Sequence, residues 1–382
     1  MTGRAGKNMN EGQGKMKEHI PSGLRVILAG GGTGGHLFPG LAIGREVVHR
    51  YKGSEVLFVT GRRKIESDIL INSEFRQSAI CIEGLMKRGL IKGLMVISMF
   101  PFSLLQSIFI IRRLSPDIVI GVGGYSAGPV CLAARLMRVA TAIHEQNSFP
   151  GLTNRLLCRV VDRVFISFEQ SRDFFPGGNI IFTGNPIRRE LLEKQEDNHR
   201  DREKFTVLIT GGSQGASATN SAVIDALGVM SGRKGRLRLI HQTGEADYLR
   251  VKDAYEGSGF QYEVTPFIKD IAFAYHQADI VVARAGATTI SELAALGKPS
   301  ILIPFPYAAN DHQLTNARML SDIGGAEIIL QADLNGERLA ALLMKYMDDR
   351  DALKYMGEQV LRAGRPNAVN KIMDQLEDMV GR

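Results

Sequence analysis

Arg25-Val26-Ile27-Leu28-Ala29 runs straight into Gly30-Gly31-Gly32-Thr33-Gly34-Gly35-His36, and Phe205-Thr206-Val207-Leu208-Ile209-Thr210 runs into Gly211-Gly212-Ser213-Gln214-Gly215. In each stretch apolar residues follow one another without alternation, the pattern of a strand buried on both faces of a parallel sheet. The glycines that follow let the backbone turn tightly into a helix, whose bare opening amides and dipole suit an anion at the carboxyl edge of the sheet. The residues between the glycines differ, so what repeats is an architecture.

Similar β-branched runs extend the pattern. In the first half they are Val56 to Thr60, Ile80 to Ile82, Asp117 to Ile120, Thr141 to His144, Arg163 to Ile166 and Ile180 to Phe182. After the charged stretch 188–204 they resume at Arg236 to His241, Tyr262 to Thr265, Asp279 to Ala283, Ser300 to Ile303 and Glu327 to Leu330. Helical stretches separate them, so the expected class is α/β, with two Rossmann-like units. Residues 24–187 form the first and 205–360 the second, joined by a linker at 188–204, and the ligand is expected in the cleft between them.

The 382-residue length also suggests about two domains. With 44% apolar and 23% charged residues, disorder, collagen and coiled coil are disfavoured. Glycine is in excess: 42 of 382 is about 11% against a usual share of roughly 7%, and its clustering fits loops that approach a ligand closely. Cys81, Cys131 and Cys158 are scattered through apolar runs, which fits neither a disulfide framework nor a zinc site and suggests a reducing compartment. Residues 1–23 carry cations but no apolar stretch and read as a polar extension.

The net charge of +7 has a local origin. Gly93 to Ile111 is a run of 19 residues without a formal charge, edged by Lys87, Arg88, Lys92, Arg112 and Arg113, with no acid between Glu83 and Asp117. Pro101 at its centre argues for a loop and then a short helix. The expectation is that segment 87–113 rests on an anionic membrane surface, with a buried helix and a true span as alternatives. No nucleic-acid partner is expected.

Gly30-x-Gly32-x-x-Gly35 satisfies the dinucleotide fingerprint, yet the next strand ends Thr60-Gly61-Arg62-Arg63, without the acid that holds a ribose. Neither glycine loop contains the Gly-Lys-Ser/Thr of a kinase-type P-loop. Asp349-Arg350-Asp351 is the one Asp-x-Asp, in a charged tail, so no metal site and no required cofactor are expected. A departing diphosphate would then be stabilised by amides, a helix dipole and cations.

His36 opens the helix after the first glycine loop, where it either bonds backbone or serves as a base in the cleft. His144-Glu145-Gln146-Asn147 puts polar groups at a strand's carboxyl edge, where they either act or cap the next helix. Gly286-Ala287-Thr288-Thr289-Ile290-Ser291-Glu292 reads as a turn and helix start. Glu292 there is a capping-box acid or an acceptor for ribose hydroxyls. Asp311-His312-Gln313 follows Pro304-Phe305-Pro306 beyond the next strand.

Together with Pro39-Gly40, Gly121-Val122-Gly123-Gly124-Tyr125-Ser126-Ala127-Gly128-Pro129, and Gly184-Asn185-Pro186-Ile187-Arg188, these motifs occur in the order seen in the MurG family, which the chain resembles from about Leu24 onward. The resemblance implies a GT-B glycosyltransferase fold, with residues 361–382 forming a helix that returns to the first domain. It implies inverting transfer of N-acetylglucosamine from UDP-GlcNAc to the 4-hydroxyl of undecaprenyl-diphosphate-linked N-acetylmuramoyl-pentapeptide (lipid I), in peptidoglycan synthesis at the cytoplasmic face of the bacterial plasma membrane. The donor positions carried over are Thr33, Gly34, Gly35, Asn147, Arg188, Ser213, Ile268, Ala287, Thr288, Thr289, Ile290, Ser291, Glu292 and Gln313. Uracil is expected near Ile268, ribose on Glu292, diphosphate at Ser213, and sugar hydroxyls near Asn147 and Gln313. Gly124, Tyr125 and Ser126 are expected on the acceptor side, with the acceptor's diphosphate near the glycine loops. His36 and Glu145 are the candidate general bases. The competing readings are a UDP-sugar epimerase on the same fold, which needs no lipid acceptor, and a membrane-docked binding module without turnover.

Overall fold

The computed structural model describes residues 23–32, 34–71, 73–82, 90–193, 203–212 and 215–381, with residues 64, 65, 68 and 90–97 described by their backbone alone. Thr33, Ser213, Lys87, Arg88, nearly all of the N-terminal extension and most of the linker lie outside the described residues.

The first unit runs β1 (Arg25–Gly30), α1 (Gly34–Arg50), β2 (Glu55–Thr60), α2 (Lys64–Ile71), β3 (Arg76–Ala79), α3 (Leu90–Leu114), β4 (Ile118–Gly123), α4 (Ala127–Leu136), β5 (Ala140–Glu145), α5 (Leu152–Leu157), β6 (Arg163–Ile166) and β7 (Ile180–Phe182). Its 7-stranded sheet has the order β3-β2-β1-β4-β5-β6-β7, every pair parallel. The order reverses between β1 and β4, and that gap at the carboxyl edge is where open α/β sheets bind ligands.

The second unit repeats the plan: β8 (Phe205–Thr210), α6 (Ser217–Val229), β9 (Leu237–Gln242), α7 (Tyr248–Tyr255), β10 (Gln261–Thr265), α8 (Ile271–Gln277), β11 (Ile280–Ala283), α9 (Ala287–Leu296), β12 (Ser300–Leu302), α10 (His312–Ser321) and β13 (Ala326–Ile328). The 6-stranded sheet is ordered β10-β9-β8-β11-β12-β13, again all parallel. The strands flanking each reversal are the ones quoted first from the sequence: β1 is buried beyond Arg25 and β8 throughout.

Two local expectations fail. The third strand is Arg76–Ala79, not Ile80 to Ile82; as an edge strand it needs no apolar pattern, while Ile80 and Ile82 bury themselves just past its end. Helix α3 passes through Pro101 unbroken. Proline costs one intrahelical bond and crowds the preceding turn, but here Leu104, Ile108 and Ile111 pack the helix onto the sheet. Among the described residues no helix is long and apolar enough to cross a membrane.

After α9 and α10 the chain forms α11 (Gly336–Asp348) and α12 (Arg350–Ala363), then crosses back as α13 (Ala368–Val380). Helix α12 extends past residue 360, so the turn toward the first unit falls at 364–367. Asp349, from the Asp-x-Asp, is an ordinary N-cap that accepts from Ala352 N at 2.8 Å. The apolar face of α13, Ile372, Met373 and Leu376, fills the first unit's core beside Leu24, Val26 and Ile118. Polar clamps lock it: Arg163, buried on β6, donates to Gln375 O at 3.0 Å and pairs with Asp378, and Arg50 donates to Asn370 Oδ1 at 2.6 Å. Leu376→Ala should lower stability by about 2–5 kcal/mol in chemical denaturation, because a buried aliphatic side chain is lost and a cavity is left.

Candidate functional site

Both glycine loops lie at the carboxyl edges of their sheets. At Gly124, φ is +80°, and a Cβ there would sit 2.2 Å from Gly31 O, so only glycine lets the loop after β4 press on the loop after β1. Gly215 is the second-domain counterpart: φ is +76°, and a Cβ would meet Thr243 O at 2.1 Å.

The amides of the first loop are only partly available to a ligand. Gly31 N donates to Gly123 O at 3.2 Å, and Gly32 N to a carboxylate oxygen of Glu66 at 2.6 Å. Gly32 N–H is therefore already engaged as the loop stands. Helix α1 opens at Gly34 right after this loop, and its dipole favours an anion there. Glu66 is a residue that sequence reasoning missed. It is the acid in the first turn of α2, shortly after the position where a ribose-binding acid was sought.

His36 is the third residue of α1, and its Nδ1 lies 2.9 Å from Gly31 O. A carbonyl can only accept, so Nδ1 carries the proton and Nε2 keeps its lone pair. Burial lowers its pKa below the usual 6.5, against the opposing pull of Glu145 and Glu66, and His312 on α10 lowers it further. The neutral form prevails at neutral pH.

Glu145, the other base candidate, is placed differently. Its carboxylate is buried and accepts from Asn147 N at 2.9 Å, Asn147 Nδ2 at 3.3 Å, Gly151 N at 3.1 Å and Asn154 Nδ2 at 2.8 Å. Four N–H donors take up its lone pairs, so it shapes the loop after β5 and has no free site for a substrate proton. His144 is held neutral, its pKa lowered to about 4 by burial, and Gln146 Nε2 lies 3.0 Å from its Nδ1. Tyr125 gives its hydroxyl to Glu66, under the Arg63 guanidinium at 5.4 Å from the ring centroid. The Ser126 hydroxyl is buried and has no hydrogen-bond partner among the described residues.

In the second domain, Gln242 ties two expected donor elements together. Its Nε2 donates to Gly212 O at 2.9 Å, and its Oε1 accepts from Ile268 N at 2.9 Å. This too was missed, although the polar run His241-Gln242-Thr243 at the end of β9 signals it. Helix α9 begins after Gly286, so Ala287, Thr288 and Thr289 form its opening turn, and Thr288 Oγ1 is buried with no hydrogen-bond partner among the described residues. Ile290 packs into the core, and Ser291 bonds back to Ala287 O at 2.9 Å.

Glu292 lies beyond that first turn, which contains no acid, so the capping box is excluded. Its side chain is only 5% exposed: one oxygen accepts from Arg188 Nη2 at 2.8 Å and the other from Tyr275 OH at 3.1 Å. A carboxylate has about four acceptor positions, which leaves two for a ligand. Gln313, on α10, accepts from Phe305 N at 3.0 Å, and just ahead of it Asn310 and Asp311 are both left-handed, with φ of 52° and 50°. Strain of that kind gathers at ligand sites.

The two sets face each other. Arg188 joins Glu292 to the first domain by stacking on Phe38 of α1, 5.5 Å from its ring centroid. Ser148 Oγ donates to Asn316 Oδ1 at 2.8 Å across the cleft, next to Asn147. A cavity of about 850 Å³ opens at the other, amino-terminal edge of the first sheet, lined by Arg25, Arg76 and Phe109, and holds none of the candidate residues.

Residues 26–166 match the glycosyltransferase family 28 N-terminal domain and residues 206–376 the glycosyltransferase family 28 C-terminal domain. A Syntrophus aciditrophicus protein named UDP-N-acetylglucosamine--N-acetylmuramyl-(pentapeptide) pyrophosphoryl-undecaprenol N-acetylglucosamine transferase is 46% identical, over 94% of this chain and 99% of its own. A Myxococcus xanthus protein of the same name is 43% identical, over 94% and 93%. The crystal structure of Acinetobacter baumannii MurG aligns with a TM-score of 0.72 at 30% identity, over 93% of this chain and 99% of that one. A crystallised UDP-N-acetylglucosamine 2-epimerase, at 15% identity and a TM-score of 0.64, shares the fold alone, over 94% and 97%. With both domains matched and nearly the whole length shared, the chain is a glycosyltransferase and belongs to family 28, within its MurG branch.

Proposed function

We propose that the protein transfers N-acetylglucosamine from UDP-GlcNAc to the 4-hydroxyl of lipid I, inverting the anomeric carbon and forming a β-1,4 bond. The carrying observation is His36: Nδ1 is pinned by Gly31 O, which makes Nε2 the unprotonated nitrogen, and His312 of α10, on the second domain, is near enough to act on the ring. His36 takes the hydroxyl proton as the oxygen attacks and UDP departs. Glu292 accepts the ribose hydroxyls, the opening turn of α9 with Thr288 meets phosphate, and Asn147 and Gln313 face the sugar. Arg188 and the helix-start amides offset the charge left on UDP. Gly124, Tyr125 and Ser126 line the acceptor side. Labelled UDP-GlcNAc with a lipid I analogue should yield disaccharide-linked product. Free sugar released without acceptor would favour the epimerase reading, and donor binding without turnover a binding module.

The same reading puts the first domain on the cytoplasmic face of the membrane, where a lipid-linked acceptor presents its sugar. What supports it is α3. Phe102, Leu105 and Phe109 are all more than half exposed along one side, and Arg112 and Arg113 follow them into solvent. Apolar side chains edged by cations suit an anionic interface. Changing Arg112 and Arg113 together to Glu should weaken binding to anionic vesicles, each cation being worth about 1 kcal/mol. Activity on a water-soluble acceptor should persist. Release from membranes only by detergent, and not by high salt or carbonate, would mean that the segment inserts.

A further inference from the structure

We infer that Glu66 is a positioning residue for the transfer: its buried carboxylate holds the backbone of Gly31 and Gly32 and the Tyr125 hydroxyl in one arrangement, and through Gly31 O sets the tautomer and aim of His36. The inference rests on the reading of His36 as the base.

Burying a carboxylate is costly unless donors satisfy it. Glu66 is fully buried, and its donors are Gly32 N at 2.6 Å, Arg63 N at 3.4 Å and the Tyr125 hydroxyl. An apolar side chain would fill the same space at less cost, but it could not hold an amide of the glycine loop. The neighbouring backbone is moulded to the carboxylate, since a Cβ at Gly31 would lie 2.6 Å from Glu66 Oε1. From Gly31 the chain of contacts is short: its carbonyl receives the His36 Nδ1 proton at 2.9 Å. Loss of Glu66 frees the loop that carries this carbonyl, and a displacement of about 1 Å at a reacting group costs on the order of a hundredfold in rate.

The charge on Glu66 also acts on His36. Around the imidazole, Glu145, Glu66 and the bond to Gly31 O favour protonation and His312 on α10 opposes it, while His144 on β5, its own pKa lowered to about 4, stays neutral. Removing the Glu66 charge therefore lowers the His36 pKa and moves the acid limb of the kcat/KM profile to lower pH.

The test is Glu66→Gln, which keeps size and one acceptor oxygen, alongside Glu66→Ala and His36→Ala. The expected result for Glu66→Gln is a kcat about tenfold lower, a donor KM within about twofold of wild type, an acid limb displaced to lower pH and a melting temperature close to wild type. Glu66→Ala should lose about a hundredfold. Wild-type kcat and an unmoved acid limb in Glu66→Gln, with His36→Ala inactive, overturn the role of Glu66 alone. A Glu66→Gln variant that loses stability and rate together while its acid limb stays put also overturns it, because packing loss does that. Full activity in His36→Ala removes the base reading, and this inference with it.

Discussion

His36→Ala lowers kcat by about a hundredfold or more and leaves donor affinity within about twofold, because a general base contributes mainly in the transition state. Isothermal titration with UDP alongside steady-state rates reads both quantities. The pH dependence follows from the same ring. Only the neutral imidazole can accept a proton, so kcat/KM falls as pH drops through the His36 pKa, and burial places that fall below pH 6.5. Glu145→Gln is the contrast. One of its oxygens is replaced by a donor facing the N–H groups of Gly151 and Asn154, so melting temperature drops, and because the Glu145 charge also favours protonated His36 the acid limb persists but moves to lower pH. Full turnover in His36→Ala, or an acid limb lost in Glu145→Gln, would reverse the assignment.

Glu292→Ala weakens donor binding by about 1–3 kcal/mol, since ribose hydroxyls lose a charged acceptor. It also loosens the fold. Arg188 and Tyr275 each lose a partner, and Arg188 links the second domain to Phe38. Glu292→Gln separates the two effects, because it preserves an acceptor for the hydroxyls while discharging the ion pair. If donor affinity in Glu292→Ala equals wild type and only the melting temperature moves, the carboxylate is structural and the ribose lies elsewhere.

The architecture was legible where burial left a periodic trace. The β1 and β8 runs read as doubly buried strands because a sheet covered on both sides requires apolar residues at successive positions, and the glycine clusters after them mark backbone approaches as close as Gly124 to Gly31 O. The edge strand Arg76–Ala79 left no such trace: it is polar and mostly exposed, held by its ladder to β2. Pro101 signalled a break that the packing of α3 overrode. At the site, residue types pointed to His36, Glu145 and Glu292, but roles depend on hydrogen-bond partners that residue type does not name. Glu145 is engaged by donors from Asn147 to Asn154 of α5, Glu292 is paired with a cation 104 residues away, and Glu66, the acid in the first turn of α2, reaches the hydroxyl of Tyr125.

The return of α13 gives the chain an unusual schedule of assembly. Arg50 and Asn370 are 320 positions apart, and the face that Ile372, Met373 and Leu376 cover is built from residues translated near the start. At about 5–20 residues per second, the first lobe waits roughly 10–40 s on the ribosome, after its own last strand emerges, for the helix that completes its core. Until then an apolar seam beside Leu24 and Ile118 has no cover, and contacts of such sequence separation form slowly. Nascent chains arrested before residue 365 should therefore be cleaved by protease in the first lobe faster than released protein. A lobe comprising residues 24–187 should become resistant when α13 is fused to it.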